Sequence, residues 1–181
     1  FGIEGGVGTV CVEGMTKVRT SQELFESQEH LIYETEMLFA VFRQNNFQAL
    51  EKDLRFALLE SFTLHLRNFI NFFYPEKEFN TDIYAKDFFV PGEWKSVVPP
   101  ISPALETARK RANKEVGHLT TERISGVTKK KEWQIGELAL EISLLIELFC
   151  KRATAKELTL ETKERILSAL PRQNAYVQPG T

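Results

Sequence analysis

Apolar side chains recur at intervals of three, four and seven residues through the first half of the chain, which is the spacing of one face of an α-helix. This stripe predicts a first helix from Ser21 to about Gln44 and a second, longer helix from Phe47 to Tyr74. Pro75 ends the second helix, because proline cannot donate the amide hydrogen bond that a helix interior requires. The apolar positions that define the two stripes are Leu24, Leu31, Leu38 and Phe42 in the first helix, and Leu50, Leu54, Leu58, Phe62, Phe69 and Phe73 in the second.

The helical period is lost between Pro75 and Ile101, where three further prolines and one glycine interrupt the chain. The pattern leaves room for at most a short helical turn, near Asp82 to Phe89. A connection of this length without regular structure is uncommon in a compact domain unless it acts as a lid or a binding loop. A loop over residues 75–101, of the kind used as a lid or a binding loop, is therefore expected.

More helices are predicted after this loop. Ser102, followed by a proline, predicts the start of a third helix over residues 102–121, because serine caps free backbone amides and proline suits the first helical position. The serine and glycine at 125–126 break the chain, and a fourth, strongly apolar helix is predicted over residues 131–152. A shorter helix over residues 155–170 ends at a proline.

No segment alternates apolar and polar residues over enough positions to predict a β-strand. The pattern predicts an all-α fold, an up-and-down helical bundle of four long helices and a short C-terminal helix. A length of 181 residues suits a single domain, expected over residues 21–170, with flexible tails over residues 1–20 and 171–181. The glycine-rich residues 1–14 precede the first methionine, Met15, and are interpreted as a non-native or upstream-encoded extension.

Composition and cysteine content narrow the class of protein. Hydrophobic residues make up 43% and charged residues 27%, which is typical of a globular chain and not of a disordered one. The two cysteines, Cys11 and Cys150, do not suggest a disulfide framework, so a reducing, cytoplasmic environment is expected. The longest apolar run, residues 138–150, is too short to span a bilayer and is interrupted by Glu141 and Glu147, so no membrane partner is expected.

Charge is unevenly distributed although the net charge is only −2. Residues 21–40 contain five acidic residues and no lysine or arginine, whereas residues 107–131 contain eight basic residues and two acidic ones. The basic segment is interpreted either as a solvated helix face with a basic loop or as a site for a polyanion. Its basic residues are Arg109, Lys110, Arg111, Lys114, Arg123, Lys129, Lys130 and Lys131.

The sequence lacks the sharp signatures of most enzyme classes: a phosphate-binding glycine loop, a Cys-x-x-Cys pair, His-Glu-x-x-His and Gly-x-Ser-x-Gly. One group of residues does suggest a catalytic site. Arg111 and His118 share a face of the predicted third helix, because seven positions turn through about 700° and rise roughly 10 Å. Asn113, Lys114 and Glu115 lie between them and are candidate supporting or substrate-binding residues.

This pair suits phosphodiester chemistry at a site formed by two copies of the helix. His118 would move a proton, and Arg111 would neutralise charge that develops on the phosphoryl oxygens. RNA is the matching substrate because its 2′-hydroxyl supplies an internal nucleophile. The alternative interpretation is structural, with His118 capping or packing at a helix end and Arg111 as a solvated base.

A helical bundle that carries an arginine and a histidine separated by four to six residues resembles the HEPN superfamily. The resemblance covers residues 21–152 and matches Arg111 and His118, with six residues between them. It implies a metal-independent endoribonuclease without a cofactor, of the kind found in toxin–antitoxin systems, and a homodimer whose two motifs meet in a cleft. The chain departs from the family pattern at Ala112, where a polar residue often follows the arginine.

A second polar cluster, His65, Arg67 and Asn68, interrupts the apolar face of the predicted second helix. Buried polar side chains need partners. The cluster is therefore interpreted either as a satisfied part of the core or as a supporting set that lines the same cleft as His118.

Two alternatives to a ribonuclease remain open. His30, His65 and His118 fall on three different predicted helices, and three imidazoles on facing helices could bind zinc or another divalent ion. The other alternative is a non-catalytic helical interaction module, similar to an antitoxin or an immunity-associated protein, whose basic face binds an acidic protein partner.

Overall fold

The computed structural model describes residues 18–44, 47–115, 133–154 and 158–171. Within these ranges the chain forms six α-helices and no β-strand, so the all-α prediction is confirmed, whereas the predicted count of four long helices and one short helix is not. The helices are α1 (Ser21–Leu38), α2 (Lys52–Phe73), α3 (Glu93–Val97), α4 (Pro103–Glu115), α5 (Ile135–Arg152) and α6 (Leu160–Ala169). Short 3₁₀-helices lie at Ala40–Arg43, Phe47–Ala49 and Ala85–Phe88.

Helix α1 begins at a capping box and ends earlier than predicted. The Thr20 hydroxyl accepts a hydrogen bond from the Glu23 amide at 3.2 Å, and the Thr20 amide donates to the Glu23 carboxylate at 2.8 Å. The α-helix ends at Leu38, and a 3₁₀-helix carries the apolar stripe through Val41. The prediction extended this helix to Gln44 because apolar residues three apart fit both helix types.

Helix α2 begins at Lys52, so the prediction of a start at Phe47 was wrong. Leu54, one of the apolar positions behind that prediction, is exposed rather than buried. The core-facing part of the helix is its C-terminal half, which ends at Phe73, before Pro75, as predicted.

Residues 75–101 are not a structureless loop, which corrects the prediction. They contain a 3₁₀-helix within the predicted short turn and also helix α3, which follows Gly92 in a left-handed conformation (φ 86°) that favours glycine. Phe88 and Trp94 are buried, and the Trp94 indole donates to the Phe73 carbonyl at 3.3 Å. This part of the segment packs into the core and does not form a lid.

The second half of the chain follows the predicted order of helices with different bounds. Ser102 accepts a hydrogen bond from the Leu105 amide at 3.1 Å, so the predicted cap of α4 is confirmed. The predicted end of this helix at residue 121 and the break at 125–126 lie outside the described residues. Helix α5 begins at Ile135, after Trp133, and not at the predicted residue 131, which lies outside the described residues.

The last helix, α6, covers Leu160–Ala169, and its predicted first residues, 155–157, lie outside the described ranges. The Thr159 hydroxyl caps this helix by accepting from the Thr162 amide at 3.2 Å. Most of the predicted tails, residues 1–17 and 172–181, also lie outside the described part of the chain.

Helix α2 is central, with α1, α4 and α5 against it, and α6 packs on α1 and α5. Phe149 of α5 lies at the centre of the aromatic core, with its ring centroid 5.3 Å from those of Phe72 and Phe88 and 6.1 Å from that of Trp94. These aromatic contacts fix α5 against α2 and against the segment before α4. None of the described helices has the length and apolar character needed to cross a membrane.

Candidate functional site

Arg111, the predicted catalytic cation, is partly buried on α4. Its guanidinium carbon lies 4.1 Å from the ring centroid of Trp133, which precedes α5. A guanidinium over an indole face is a favourable cation–π contact, and it favours this position of the side chain. His118 lies outside the described residues, so its placement on the same face as Arg111 stays a prediction.

Two other cations of the predicted basic face are engaged in ion pairs. Arg109 is buried, donates to the Tyr74 carbonyl at 3.0 Å, and pairs with Glu76 at 2.8 Å and with Glu106. Lys110 pairs with Glu106 at 3.0 Å. The prediction that Arg109 belongs to a solvated or polyanion-binding face was therefore wrong, because its side chain joins α4 to the end of α2.

The rest of the predicted motif segment divides between the core and the surface. Ala112 is 2% exposed, so a polar side chain at this position would be removed from water. Asn113 is partly buried and Lys114 is exposed. Glu115 is the last residue of α4.

The second predicted cluster is a hydrogen-bonded link between α1 and α2. His65 is buried, and its Nδ1 atom lies 2.8 Å from Glu34 Oε2. The Asn68 amide nitrogen donates to the same carboxylate oxygen at 3.0 Å, and the ring of Tyr33 packs edge-on against His65. The interpretation of His65 as a satisfied core histidine is confirmed.

The electrostatics of this link favour an ionised Glu34. Partial burial raises the pKa of the Glu34 carboxyl, but hydrogen bonds from His65 and Asn68 and the nearby charges of His65 and His30 lower it. The lowering effects prevail, and the pKa of Glu34 lies below its usual value. A carboxylate is therefore held at this position near neutral pH.

Glu34 also lines a groove of about 450 Å³ between α1, α2 and residues 81–84. The apolar side of the groove includes Leu31, Phe72 and Ile83. Its charged, imidazole and amide side chains are His30, Glu34, Arg67, Asn68, Asn71 and Asp82. A concave site with apolar walls and a few polar groups is the usual form of a small-molecule site.

The described members of the two predicted sets of site residues do not line the same groove. Arg67 and Asn68 line the groove, whereas His65 contacts Glu34 and does not line the groove. Within the described ranges no residue of α4 lines it, so Arg111 is not brought to the groove.

Sequence reasoning missed Glu34, Asn71 and Asp82 as groove residues. A signal was present for the first two, because Glu34 follows His30 by one helical turn and Asn71 follows Arg67 by one turn. Asp82 had no such signal, because it reaches the groove from a segment without a helical period.

No set of ligands for the alternative metal site is assembled in the part of the chain that the structure describes. In residues 18–44, 47–115, 133–154 and 158–171, no three or more histidine, cysteine, aspartate or glutamate side chains are grouped so that they could hold a metal ion. His118 lies outside these ranges, so the set of His30, His65 and His118 stays a hypothesis.

No family model, curated protein or solved structure matches this chain. The resemblance to the HEPN superfamily therefore rests on the arginine–histidine spacing and on the helical fold.

Proposed function

We propose that this protein is a metal-independent endoribonuclease of the HEPN type that acts as a cytoplasmic homodimer, in a role related to toxin–antitoxin systems. The observation that carries the proposal is the contact between Arg111 and Trp133, whose guanidinium carbon and ring centroid are 4.1 Å apart. A cation with a fixed position costs little reorganisation when negative charge develops beside it. Arg111 meets that requirement on an α-helix that is continuous as far as Glu115.

In the proposed reaction, the ribose 2′-hydroxyl attacks the adjacent phosphorus, and the bond from phosphorus to the 5′-oxygen of the next nucleotide breaks. His118 moves a proton to or from the reacting oxygens, because imidazole can donate and accept near neutral pH. Arg111 neutralises charge on the non-bridging phosphoryl oxygens. The products are a 2′,3′-cyclic phosphate and a 5′-hydroxyl, with no net consumption of water in this step.

The direct test is cleavage of a mixed RNA pool by purified protein in the presence of a chelator. The unsubstituted protein should cleave and leave 2′,3′-cyclic phosphate ends. His118→Ala should lose activity by about 100-fold or more, which is the usual contribution of a general acid or base. Arg111→Ala should lose about as much, as expected when a preorganised charge is removed from a transition state.

Lys110→Ala is the matched control for Arg111→Ala. Lys110 is the adjacent exposed residue on α4, and the substitution removes the same charge while sparing the Trp133 contact. Its cleavage rate should stay within about twofold of the unsubstituted protein, because exposed ion pairs contribute little. Cleavage that appears only after a divalent ion is added would contradict the proposal and favour the site of His30, His65 and His118.

A second candidate, a non-catalytic module that binds a protein partner, has two observations in its favour. Arg109 and Lys110 are neutralised by acidic side chains, so fewer cations are available on α4 for phosphate contacts. Leu140 and Leu144 are 39% and 52% exposed and lie one turn apart on α5. Absence of RNA cleavage and of salt-dependent RNA binding would favour this candidate over the ribonuclease.

A further inference from the structure

Arg67 differs from the other described arginines whose Nε atom is buried. The Nε atoms of Arg19, Arg55, Arg67 and Arg109 are all buried without a hydrogen-bond partner. Arg19, Arg55 and Arg109 nevertheless place a terminal nitrogen on an acceptor: the Asp82 carbonyl, the Gln48 side chain and the Tyr74 carbonyl. Arg67 has no hydrogen bond or ion pair to any described residue, although it lines the groove beside α1.

The groove also contains a carboxylate without a cationic partner. Among the described residues, the carboxylate of Asp82 accepts hydrogen bonds from the hydroxyls of Thr81, at 2.9 Å, and Tyr84, at 3.4 Å. Arg19 is nearby but donates to the backbone carbonyl of Asp82. Among the described residues, no lysine, arginine or histidine, Arg67 included, forms an ion pair with the Asp82 carboxylate.

A cation and an anion that line one groove without pairing define the charge pattern of a ligand that carries both charges. The remaining lining suits such a ligand, because Asn68 and Asn71 offer amides and Leu31, Phe72 and Ile83 form an apolar wall. A volume of about 450 Å³ lies in the range of small-molecule sites.

We propose that this groove binds a small zwitterion, a free amino acid with an apolar side chain. The ligand carboxylate pairs with the Arg67 guanidinium, the ammonium pairs with the Asp82 carboxylate, and the side chain packs against Leu31 and Phe72. Arg67 suits the first task because guanidinium nitrogens can hold a carboxylate through two parallel hydrogen bonds. The proposal goes beyond the ribonuclease, because in the described chain Arg111 does not line the groove.

The charged side chains of Glu34, Asp82 and Arg67 determine which class of ligand suits the groove. Glu34 and Asp82 would repel a phosphate or a dicarboxylate, and a simple amine would leave Arg67 without a partner. A ligand with separated charges of both signs pairs with Arg67 and Asp82 together.

The test is calorimetric titration of the full chain with four probes of related shape. L-leucine and L-phenylalanine carry both charges, N-acetyl-leucine keeps only the carboxylate, and leucine amide keeps only the ammonium. We expect at least one of the two free amino acids to bind, and each single-charge leucine derivative to bind about tenfold or more weakly than leucine, because a charged hydrogen bond is lost. The side-chain amide signals of Asn68 and Asn71 should shift in NMR spectra when the free amino acid is added.

Two substitutions locate the site. Arg67→Gln and Asp82→Asn should each weaken binding of the free amino acid by about tenfold or more, because each removes one charged partner. Lys95→Gln is the control, because Lys95 is exposed on α3 and does not line the groove. Circular dichroism and the melting temperature of each variant show whether it is folded. Arg67→Lys is a second test and should also weaken binding, because lysine keeps the charge but loses the two parallel hydrogen bonds.

The results that would overturn the proposal are separate from those that test the ribonuclease. Binding of neither free amino acid would exclude the zwitterion site. Equal binding of N-acetyl-leucine would reduce it to a simple anion site, and binding unaffected by both Arg67→Gln and Asp82→Asn would place the ligand elsewhere. None of these results depends on RNA cleavage.

Discussion

Glu34 Oε2 lies 2.8 Å from His65 Nδ1, and this contact joins the C-terminal part of α1 to the C-terminal half of α2. Asn68, one turn after His65, donates to the same oxygen. The contact fixes how the first two helices meet and places an ionised carboxylate at the edge of the groove.

This contact predicts a stability that depends on pH. Because the pKa of Glu34 is lowered on folding, the unfolded chain binds more protons in acid, and the stabilisation is present above the unfolded pKa and lost as the pH falls through the folded pKa. Glu34→Gln should therefore lower the free energy of unfolding by about 1–2 kcal/mol near pH ~7 and by much less near pH ~3. Urea unfolding at both pH values measures the difference.

The control for this prediction is Glu36→Gln, an exposed carboxylate on the same helix. It should change the free energy of unfolding by less than about 0.5 kcal/mol at both pH values. An equal loss for the Glu34 and Glu36 variants, or a loss for Glu34→Gln that does not shrink in acid, would contradict the prediction.

Arg109 should act as a structural cation. Arg109→Gln should lower the free energy of unfolding by about 2–3 kcal/mol, because the buried side chain bonds to the Tyr74 carbonyl and pairs with Glu76 and Glu106. Lys110→Gln, which removes the same charge from an exposed site, should cost less than about 1 kcal/mol. Denaturant titration compares the two, and similar losses would show that Arg109 lies on the surface.

Trp94 should contribute strongly to stability. Trp94→Ala should cost about 3–5 kcal/mol in the free energy of unfolding, because it leaves a cavity among Phe73, Phe89 and Phe149. Val90→Ala, at a 67% exposed position nearby, should be nearly neutral. A small loss for Trp94→Ala would restore the interpretation of residues 75–101 as a loop outside the core.

The fold class could be predicted from the sequence because apolar spacing in the long helices is regular. The exact first and last residues of the helices could not be predicted. A 3₁₀-helix continues the same three-residue spacing after Leu38, and helix α3, with five residues, is too short to show a period.

The sites were less predictable, because their contacts join distant parts of the chain. Residue types identified His65 and Arg109 as noteworthy, but their partners Glu34 and Glu76 are 31 and 33 residues away. No local pattern distinguishes a buried arginine with such partners from a solvated one.

The Trp133 ring should support the proposed activity. Trp133→Leu should reduce RNA cleavage several-fold, because a cation–π contact contributes about 0.5–2 kcal/mol to the position of Arg111. Trp133→Phe should retain more activity than Trp133→Leu, since it keeps an aromatic face. Equal rates for the two variants, with unchanged melting temperatures, would separate Trp133 from the function of Arg111.

The role of His118 in RNA cleavage can be measured from the ends of the RNA fragments that the unsubstituted protein and His118→Ala produce in the presence of a chelator. The unsubstituted protein should leave 2′,3′-cyclic phosphate ends, and a His118→Ala variant with the same helicity and melting temperature should leave none above background. Equal cleavage by both proteins, or cleavage by neither, would contradict the ribonuclease.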